Sequence, residues 1–465
     1  MRGIAGNQPP SAGVRYGAAT IALCGVQFVD VLGVTVVVTA LPRMLADLGA
    51  TPALGGAVVT TYAMFFGGLL MVAARVGDRV GHRRLVLAAL TLFALAAPLA
   101  GSARSIWPLV VARALQGAAA AAAVPAALRL LTTVIPDGPP RRRAVAGWSA
   151  TGAAAGACGF VIGGLVTELA SWRLVYWMNV PVAVLLAGAV VAYVPEIRPP
   201  GRPERLGWPS ALLLTGAAMG IVAGTTLFGE HGPMSLAATA LGIGLLATAG
   251  FAVLEHRSRH PLVVPAARRS QTLRWGTLGS FVNTATTSGS FTLATLYLQD
   301  QRGLTSLATA GLLVSFSLLV VVGSLLAPKI MAEGAWGRAL AAGAGIIAAG
   351  NSILVAYPEP FAVAIAAGTC GLGIGVASVA ATDMGTTVDE SIKATAAGAL
   401  NTAAQLGTAI GTAIILLIAT GSDPRLAWAT AAGLAAVTAI ADHRRAPSRR
   451  APVHIDRQSI RAFEK

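Results

Sequence analysis

The sequence predicts an all-α integral membrane protein of about fourteen transmembrane helices. Of its 465 residues, 55% are hydrophobic and only 11% are charged, whereas about a quarter of the residues of a soluble domain are charged. Apolar runs of about 20 residues, long enough to cross a hydrocarbon core, recur from residue 17 to residue 441. One or two membrane anchors would not explain this repetition.

Residues that break the apolar runs separate the predicted spans. The first span follows Arg2 and Arg15, and it is too long for the core of a cleaved signal peptide, so we expect it to be retained. The predicted spans are 17–41, 53–75, 85–101, 105–131, 144–167, 174–194, 209–228, 235–254, 274–298, 305–327, 338–356, 361–383, 394–420 and 425–441.

Two polar stretches, 195–209 and 255–274, divide these spans into groups of six, two and six. Two six-helix bundles around a midplane site, with an inserted two-helix hairpin, would produce this division. We therefore predict an N-terminal bundle over 1–195, a linker with two extra helices over 196–270, a C-terminal bundle over 271–445 and a basic cytoplasmic tail over 446–465.

The net charge of +15 lies in short basic clusters between the spans. A nucleic-acid binder would gather Lys and Arg on one face with stacking aromatics, so we expect no nucleic-acid partner. The positive-inside rule favours a multi-pass protein of the cytoplasmic (inner) membrane with both termini in the cytoplasm. The outward loops then carry only Arg43, Arg104, Arg173, Arg302 and Arg425.

The loop after the second span reads ARVGDRVGHRR over residues 74–84. It resembles the G-x-L-A-D-R-x-G-R-R signature of the major facilitator superfamily, with Ala74 in place of glycine. The resemblance implies a major facilitator fold and a conformational latch that favours the outward-facing state. The latch residues would be Asp78, Arg79, Gly81 and Arg83. The alternative is a simple cytoplasmic anchor cluster.

The fourth span carries Arg113, which matches the R-x-x-Q-G pattern of the same family together with Gln116 and Gly117. A guanidinium cannot be deprotonated in a protein, so Arg113 needs a partner or a wet cavity. Helix rise places Arg113 about 12 Å and Asp30 about 17 Å from the outer surface. We expect the two to form a proton-coupling pair, and a fixed structural ion pair is the alternative. The family usually carries its first-span acid at the position of Gly33.

The fifth span reads AAAGACGFVIGGLVTELASWRLVYWMNVP together with the segment that follows it. It resembles the G-x-x-x-G-P-x-x-G-G signature of the fourteen-span drug:proton antiporters of that superfamily, and the S-W-R and N-V-P segments after it also match. Phe160 replaces the family's proline, which leaves the expected bend of this helix open. The antiporter motif would consist of Gly156, Gly159, Gly163 and Gly164.

Polar residues on the ninth and thirteenth spans predict a substrate cavity. Asn401 and Gln405 share one helix face at i,i+4 spacing, and the ninth span is too polar to lie entirely against lipid. With the fourth span, the expected lining is Gln116, Asn283, Thr287, Tyr297, Asn401 and Gln405. Hydrogen bonding between helices is the alternative role for these side chains.

The resemblance implies proton-coupled export of small amphipathic drugs, antibiotics or secondary metabolites by a monomer in the lipid bilayer. We expect no cofactor and no metal, because the chain has no phosphate-binding loop and its three cysteines are far apart. A proton symporter that imports a small molecule is one alternative. A membrane sensor or a lipid-modifying protein is another, although neither an extra soluble domain nor paired embedded acids favour it.

Overall fold

The computed structural model describes residues 12–136, 138–197, 207–229, 233–258, 261–263, 265–331, 336–389 and 392–445. The predicted basic tail over 446–465 lies outside these residues. In chain order the helices are α1 (Ala12–Leu48), α2 (Pro52–Val80), α3 (His82–Gly101), α4 (Ile106–Val134), α5 (Pro139–Leu169), α6 (Trp172–Trp177), α7 (Asn179–Tyr193), α8 (Trp208–Gly229), α9 (Met234–Arg257), α10 (Pro265–Arg269), α11 (Gln271–Leu296), α12 (Ser306–Ile330), α13 (Trp336–Ala356), α14 (Pro360–Thr386), α15 (Lys393–Gly421) and α16 (Pro424–Arg445). A π-helical turn over Tyr297–Gln301 extends α11.

Every predicted span falls on a helix or, for the sixth span, on α6 and α7, which Met178 separates. Within the described residues, 13 segments are long and apolar enough to cross a membrane. The helix that fails the apolar criterion is α11, the predicted ninth span, which has 26 residues. Its many Ser, Thr and Asn side chains lower its hydropathy, and most of the helix is buried against its neighbours. Protein rather than lipid therefore surrounds these polar groups.

The helices form two bundles with the same internal packing. In the first bundle α1 packs on α5, α2 and α3 pack on α4, and α3 packs on α7. In the second bundle α11 packs on α15, α12 and α13 pack on α14, and α13 packs on α16. The N bundle (α1 to α7) and the C bundle (α11 to α16) thus repeat one arrangement, as expected for two structural repeats.

Helices α8 and α9 form the inserted hairpin. Gly220 and Gly244 allow them to approach closely, because a Cβ added at Gly220 would lie 2.6 Å from the Cα of Gly244. Helix α8 also packs on α2 of the N bundle and on α15 of the C bundle. Ala218 lies in an apolar cluster with Ala63 of α2 and Ala409 of α15. The hairpin therefore lies over one of the two seams between the bundles.

The connector from the hairpin to the C bundle is held by Glu255 and Arg75. The carboxylate of Glu255, which is buried at the end of α9, accepts hydrogen bonds from the backbone N–H groups of Leu262 (2.9 Å) and Val263 (3.0 Å). Nη2 of Arg75 donates to the carbonyl of Pro261 at 2.6 Å. These hydrogen bonds fasten the connector to α2 and α9.

The two ends of the molecule differ in how the bundles join. We call the end with the α2–α3 junction the motif end and the opposite end, with the α1–α2 junction, the far end. At the far end one apolar core includes Leu41 and Trp172 of the N bundle and Leu313 and Trp428 of the C bundle. At the motif end the apolar clusters of the N bundle and the C bundle are separate. In this structure the two bundles therefore share an apolar core at the far end but not at the motif end.

Candidate functional site

Tyr62 of α2 lies between the two residues expected to form a pair. Its hydroxyl donates a hydrogen bond to Oδ1 of Asp30 in α1. The guanidinium carbon of Arg113 in α4 lies 4.2 Å from the centre of the Tyr62 ring. The ring faces a cation whose attraction to the π system is strongest when both are desolvated, and here Tyr62 and Arg113 are each only 2% exposed. Asp30 and Arg113 thus belong to one cluster, bridged by an aromatic ring rather than joined directly.

The N–H groups of Arg113 donate hydrogen bonds mainly to oxygens that carry no charge. Nε donates to the carbonyl of Val58 at 3.3 Å, and Nη1 donates to Oε1 of Gln116 at 3.2 Å. A longer contact of 3.5 Å joins Nη1 to the carbonyl of Gly33. Arg113 therefore ties α4 to α1 and α2. At Gly33, where the family usually has an acid, Arg113 contacts the backbone carbonyl oxygen.

A cavity lies beside Asp30, between α1, α3 and α4. It has a volume of about 20 Å³, enough for about one water molecule, and Asp30 is the one ionisable residue in its wall. The other residues in the wall are Val26, Val29, Ala89, Leu90, Phe93, Ala119, Ala120, Ala123 and Val124. Asp30 itself is only partly buried. Its carboxyl group is therefore held by Tyr62 and also borders this small cavity.

The expected latch residues lie at the junction of α2 and α3. Gly81 joins the two helices at φ +97°, a backbone conformation that favours glycine. Asp78 is exposed and lies 3.1 Å from Nε2 of His82. Nη2 of Arg83 donates to the carbonyl of Val191 in α7 at 2.8 Å, and Arg79 is exposed. In this conformation the contacts of Asp78 and Arg83 lie within the N bundle.

The antiporter glycines let α5 pass close to two helices at once. A Cβ added at Gly159 would lie 3.1 Å from the carbonyl oxygen of Leu32, and one at Gly163 would lie 2.8 Å from that of Val36. Both oxygens belong to α1. Because glycine has no Cβ, α5 and α1 approach closely within the N bundle. Helix α5 runs unbroken through Phe160.

The other two glycines of the motif face the C bundle. A Cβ added at Gly156 would lie 3.2 Å from Oγ of Ser317, and one at Gly164 would lie 2.8 Å from the Cβ of Ala310. Both partners belong to α12. The motif therefore builds one internal contact of the N bundle and one seam between the bundles.

The residues expected to line a substrate cavity are spread along the molecule. Asn283 and Thr287 are buried within the C bundle, at 2% and 1% exposure. The hydroxyl of Thr287 donates to the carbonyl of Asn283 at 2.7 Å. Gln116 is 1% exposed and belongs to the Arg113 cluster. All three side chains are therefore almost completely buried.

The remaining expected lining residues lie nearer to the bundle surfaces. Tyr297 is at the far end, where its ring centre is 5.7 Å from that of Trp428. Gln405 lies at the seam between α15 and α2, against Gly67. Asn401 is exposed near the start of α15, where its amide donates to the carbonyl of Ala397 at 3.1 Å. The structure does not bring the six residues together.

Tyr62 is the member of the site that the sequence analysis missed. It lies in an apolar run, TTYAMFF, where an aromatic residue is usually a packing residue. Depth offers a signal: ten residues of helix from the start of α2 correspond to about 15 Å, which matches the depth expected for Asp30 and Arg113. Matching depths on neighbouring helices would have marked Tyr62 as a candidate.

Comparison with known proteins agrees with this architecture. The family model described as "Major Facilitator Superfamily" matches residues 23–412. The chain is 35% identical over 416 residues to the cephamycin export protein CmcT of Amycolatopsis lactamdurans, covering 87% of this chain and 85% of that protein. It is 33% identical over 410 residues to the puromycin resistance protein pur8 of Streptomyces alboniger, covering 86% of this chain and 81% of that protein.

Solved structures share the fold. The human organic anion transporter MFSD10 superposes with a TM-score of 0.66 at 14% identity, and the match covers 94% of this chain and 100% of that chain. The peptide transporter POT in complex with sulfate superposes with a TM-score of 0.70 at 16% identity, covering 93% and 97%. With two repeated bundles and a family match over most of its length, the chain belongs to the Major Facilitator Superfamily.

Proposed function

We propose that this protein is a secondary active transporter that exports small amphipathic molecules, such as antibiotics or other secondary metabolites, in exchange for protons. The names of its relatives, a cephamycin export protein and a puromycin resistance protein, support the export of antibiotic-like compounds. The observation that carries the proton coupling is the cluster of Asp30, Tyr62 and Arg113 in the membrane interior. Ionisable groups at that depth are costly and usually functional.

Asp30 is the proton acceptor in this proposal. While the carboxyl group is charged, it accepts the hydrogen bond of Tyr62, and the ring of Tyr62 faces Arg113. Protonation removes the charge from Asp30 and weakens this charge-assisted hydrogen bond. Tyr62 and Arg113 are then freer to move, and both contact the helices that surround the site. Uptake of a proton thereby changes the packing of α1, α2 and α4.

The bundles supply the conformational change. They share a core at the far end and have separate cores at the motif end, so we propose that substrate enters from the motif end. Opening the far end and closing the motif end would release the substrate on the other side. An inward proton gradient supplies about 2.3 kcal/mol per charge for each 100 mV, plus its pH component.

We place the protein in the cytoplasmic membrane as a monomer, with both termini and the motif end in the cytoplasm. The basic residues at the α2–α3 junction support this orientation. Asp78 and Arg79 would then act as the latch when the motif end closes. The expected lining residues at the bundle surfaces, Gln405 and Asn401, are the ones we assign to the substrate path.

A growth assay tests the proposal. Cells with and without the gene are exposed to a panel of toxic amphipathic compounds, with and without a protonophore. We expect the gene to raise the tolerated concentration of some compounds, and we expect the protonophore to remove this protection. Protection that survives collapse of the proton gradient would refute proton coupling.

A further inference from the structure

Gln299 connects the C bundle to the N bundle at the far end. It lies in the π-helical turn that follows α11. Its Nε2 donates to the carbonyl of Thr39 in α1 at 3.0 Å, and its Oε1 accepts from the hydroxyl of Ser306 in α12 at 3.1 Å. The π turn gives the helix one extra residue per turn, which changes the direction of the side chains that follow. One amide thus satisfies an oxygen of the N bundle and a hydroxyl of the C bundle.

Glu168 makes a second connection, in which a side chain of the N bundle bonds to the C bundle. This residue lies one position before the end of α5 in the N bundle, and its Oε2 accepts the backbone N–H of Leu307 in α12 at 3.0 Å. The first N–H groups of a helix have no partner within the helix. Thr305 accepts the N–H of Ala308 from within the C bundle, so Leu307 receives its acceptor from the other bundle. The negative carboxylate also interacts favourably with the positive end of the helix dipole.

Both connections meet at the first turn of α12. Gln299 bonds to Ser306, and Glu168 bonds to the next residue, Leu307. Gly164 lies one helical turn before Glu168 and permits α5 to approach this turn, because a Cβ added there would be 2.8 Å from the carbonyl oxygen of Ser306. A close approach of α5 and α12 is thus found at the same turn where these hydrogen bonds join the bundles.

From this geometry we propose that Gln299 and Glu168 are positioning residues of the transport reaction that hold the far end closed. The proposal rests on the proposed function, since a far end that must open to release substrate needs contacts that break. Each of the two hydrogen bonds joins helices of different bundles, so separating the bundles breaks both. Neither side chain needs to touch the substrate.

Distances between spin labels in the purified full chain test this proposal without substrate or gradient. Arg104 and Arg425 are exposed at the far end, and Arg143 and Lys329 are exposed at the motif end. Each pair carries one label on each bundle. The labels are attached in a C158S background, because Cys158 is exposed and the other two cysteines are buried.

We expect Q299L and E168A each to raise the ratio of open to closed far ends about fivefold, as loss of one hydrogen bond of about 1 kcal/mol implies. The Arg104–Arg425 distance should lengthen and the Arg143–Lys329 distance should shorten. Q301L and E359Q are the matched controls. Gln301 lies in the same π turn, and Glu359 pairs with Arg302 inside the C bundle at 2.6 Å. The controls should keep the distances of the parent protein.

Unchanged distances in Q299L and E168A, or equal changes in the controls, would overturn the proposal. If a variant does not fold, the opposite test applies: E168C and L307C are joined by a short bifunctional cross-linker. The linked protein should lose its far-end-open population, and cleavage of the linker should restore it. A far-end-open population that persists in the linked protein would also overturn the proposal. Because no assay here requires transport, failure of the export function would leave these results interpretable.

Discussion

Arg113 places its guanidinium carbon 4.2 Å from the centre of the Tyr62 ring, and the hydroxyl of that same ring bonds to Asp30. A direct ion pair would fix the acid and the base to each other. A phenol ring between them allows the charge of Asp30 to change while Arg113 keeps its contacts with Val58 and Gln116. The arrangement therefore fits the proposed role of Asp30 as the group that gains and loses a proton.

Replacing Tyr62 by phenylalanine tests the bridge. Y62F keeps the ring that faces Arg113 but removes the donor to Asp30. A hydrogen bond to a charged group contributes about 1.5–3 kcal/mol, so we expect drug–proton exchange in proteoliposomes to slow about tenfold or more. Y193F is the control, because Tyr193 at the end of α7 is 47% exposed. Equal rates for Y62F and Y193F would contradict a role for the bridge.

Replacing Asp30 by asparagine tests the proton acceptor. D30N keeps an oxygen that accepts from Tyr62 but cannot take up a proton at ordinary pH. We expect proton movement on addition of drug to disappear while drug binding remains. D423N is the control, because Asp423 lies in the exposed loop before α16. Undiminished proton movement in D30N would remove Asp30 from the mechanism.

A second acid tests whether the position of the carboxyl group matters. The carbonyl of Gly33 is already 3.5 Å from Nη1 of Arg113, and a Cβ added at Gly33 meets nothing within 4 Å. We expect the double variant D30N/G33D to recover part of the proton-coupled transport that D30N loses. Drug uptake into inverted vesicles, measured with and without a pH gradient, reports the recovery. The single variant G33D shows whether the added acid is tolerated.

Adding a methyl group at Gly164 tests the seam between α5 and α12. In G164A the new Cβ would lie 2.8 Å from the Cβ of Ala310, so the helices must move apart. We expect transport to fall at least tenfold while the N bundle still folds. G188A is the control, because its Cβ would meet nothing within 4 Å and alanine favours helix by about 1 kcal/mol. Similar transport by both variants would show that the seam tolerates the added volume.

The latch prediction concerns Asp78. In this structure Asp78 is exposed and contacts His82 of its own bundle, so D78N should change the unfolding free energy by less than about 0.5 kcal/mol. If Asp78 stabilises the conformation closed at the motif end, D78N should still slow export. E196Q, which breaks the 2.5 Å ion pair with Arg84, is a control for loss of a surface charge. Export rates and thermal melting of both variants separate the two effects.

The hydrogen bonds of Asn351 join α13 to α11 within the C bundle. Asn351 is 0% exposed, accepts from Ser290 at 2.6 Å and donates to the carbonyl of Thr286 at 3.3 Å. N351L should lower the stability by about 0.6–2 kcal/mol, the range found for hydrogen bonds between membrane helices. S352A should have a smaller effect, because Ser352 bonds only to its own helix, at Ala348. Thermal melting in detergent measures the difference.

The fold could be predicted from the sequence because the bilayer sets the length of an apolar helix. Even α11, which is not apolar enough by hydropathy alone, was predicted, because its many Ser, Thr and Asn side chains can be shielded by neighbouring helices. Depth along a helix could be predicted in the same way, and it placed Asp30 near Arg113. The direction of a side chain around the helix axis could not be predicted. For that reason Tyr62 was missed, although it lies at the same depth.

The candidate site was predictable only where spacing carries the information. The four antiporter glycines were expected from their resemblance to the family signature, but their division between α1 and α12 depends on which helices surround α5. Gln299 was not among the predicted site residues, and its partner Thr39 lies 260 positions away in the chain. Contacts between bundles depend on the conformation as well as on the sequence. The six expected lining residues remain a prediction for the same reason.

The position of α8 makes the protein asymmetric toward the bilayer. Because α8 packs on both α2 and α15, acyl chains on that flank would meet the hairpin instead of the boundary between the two bundles. On the opposite flank α5 and α12 form the corresponding boundary, and neither α8 nor α9 packs substantially on these two helices. A hydrophobic compound dissolved in the bilayer would therefore meet the boundary between α5 and α12 directly, whereas the hairpin shields the boundary between α2 and α15.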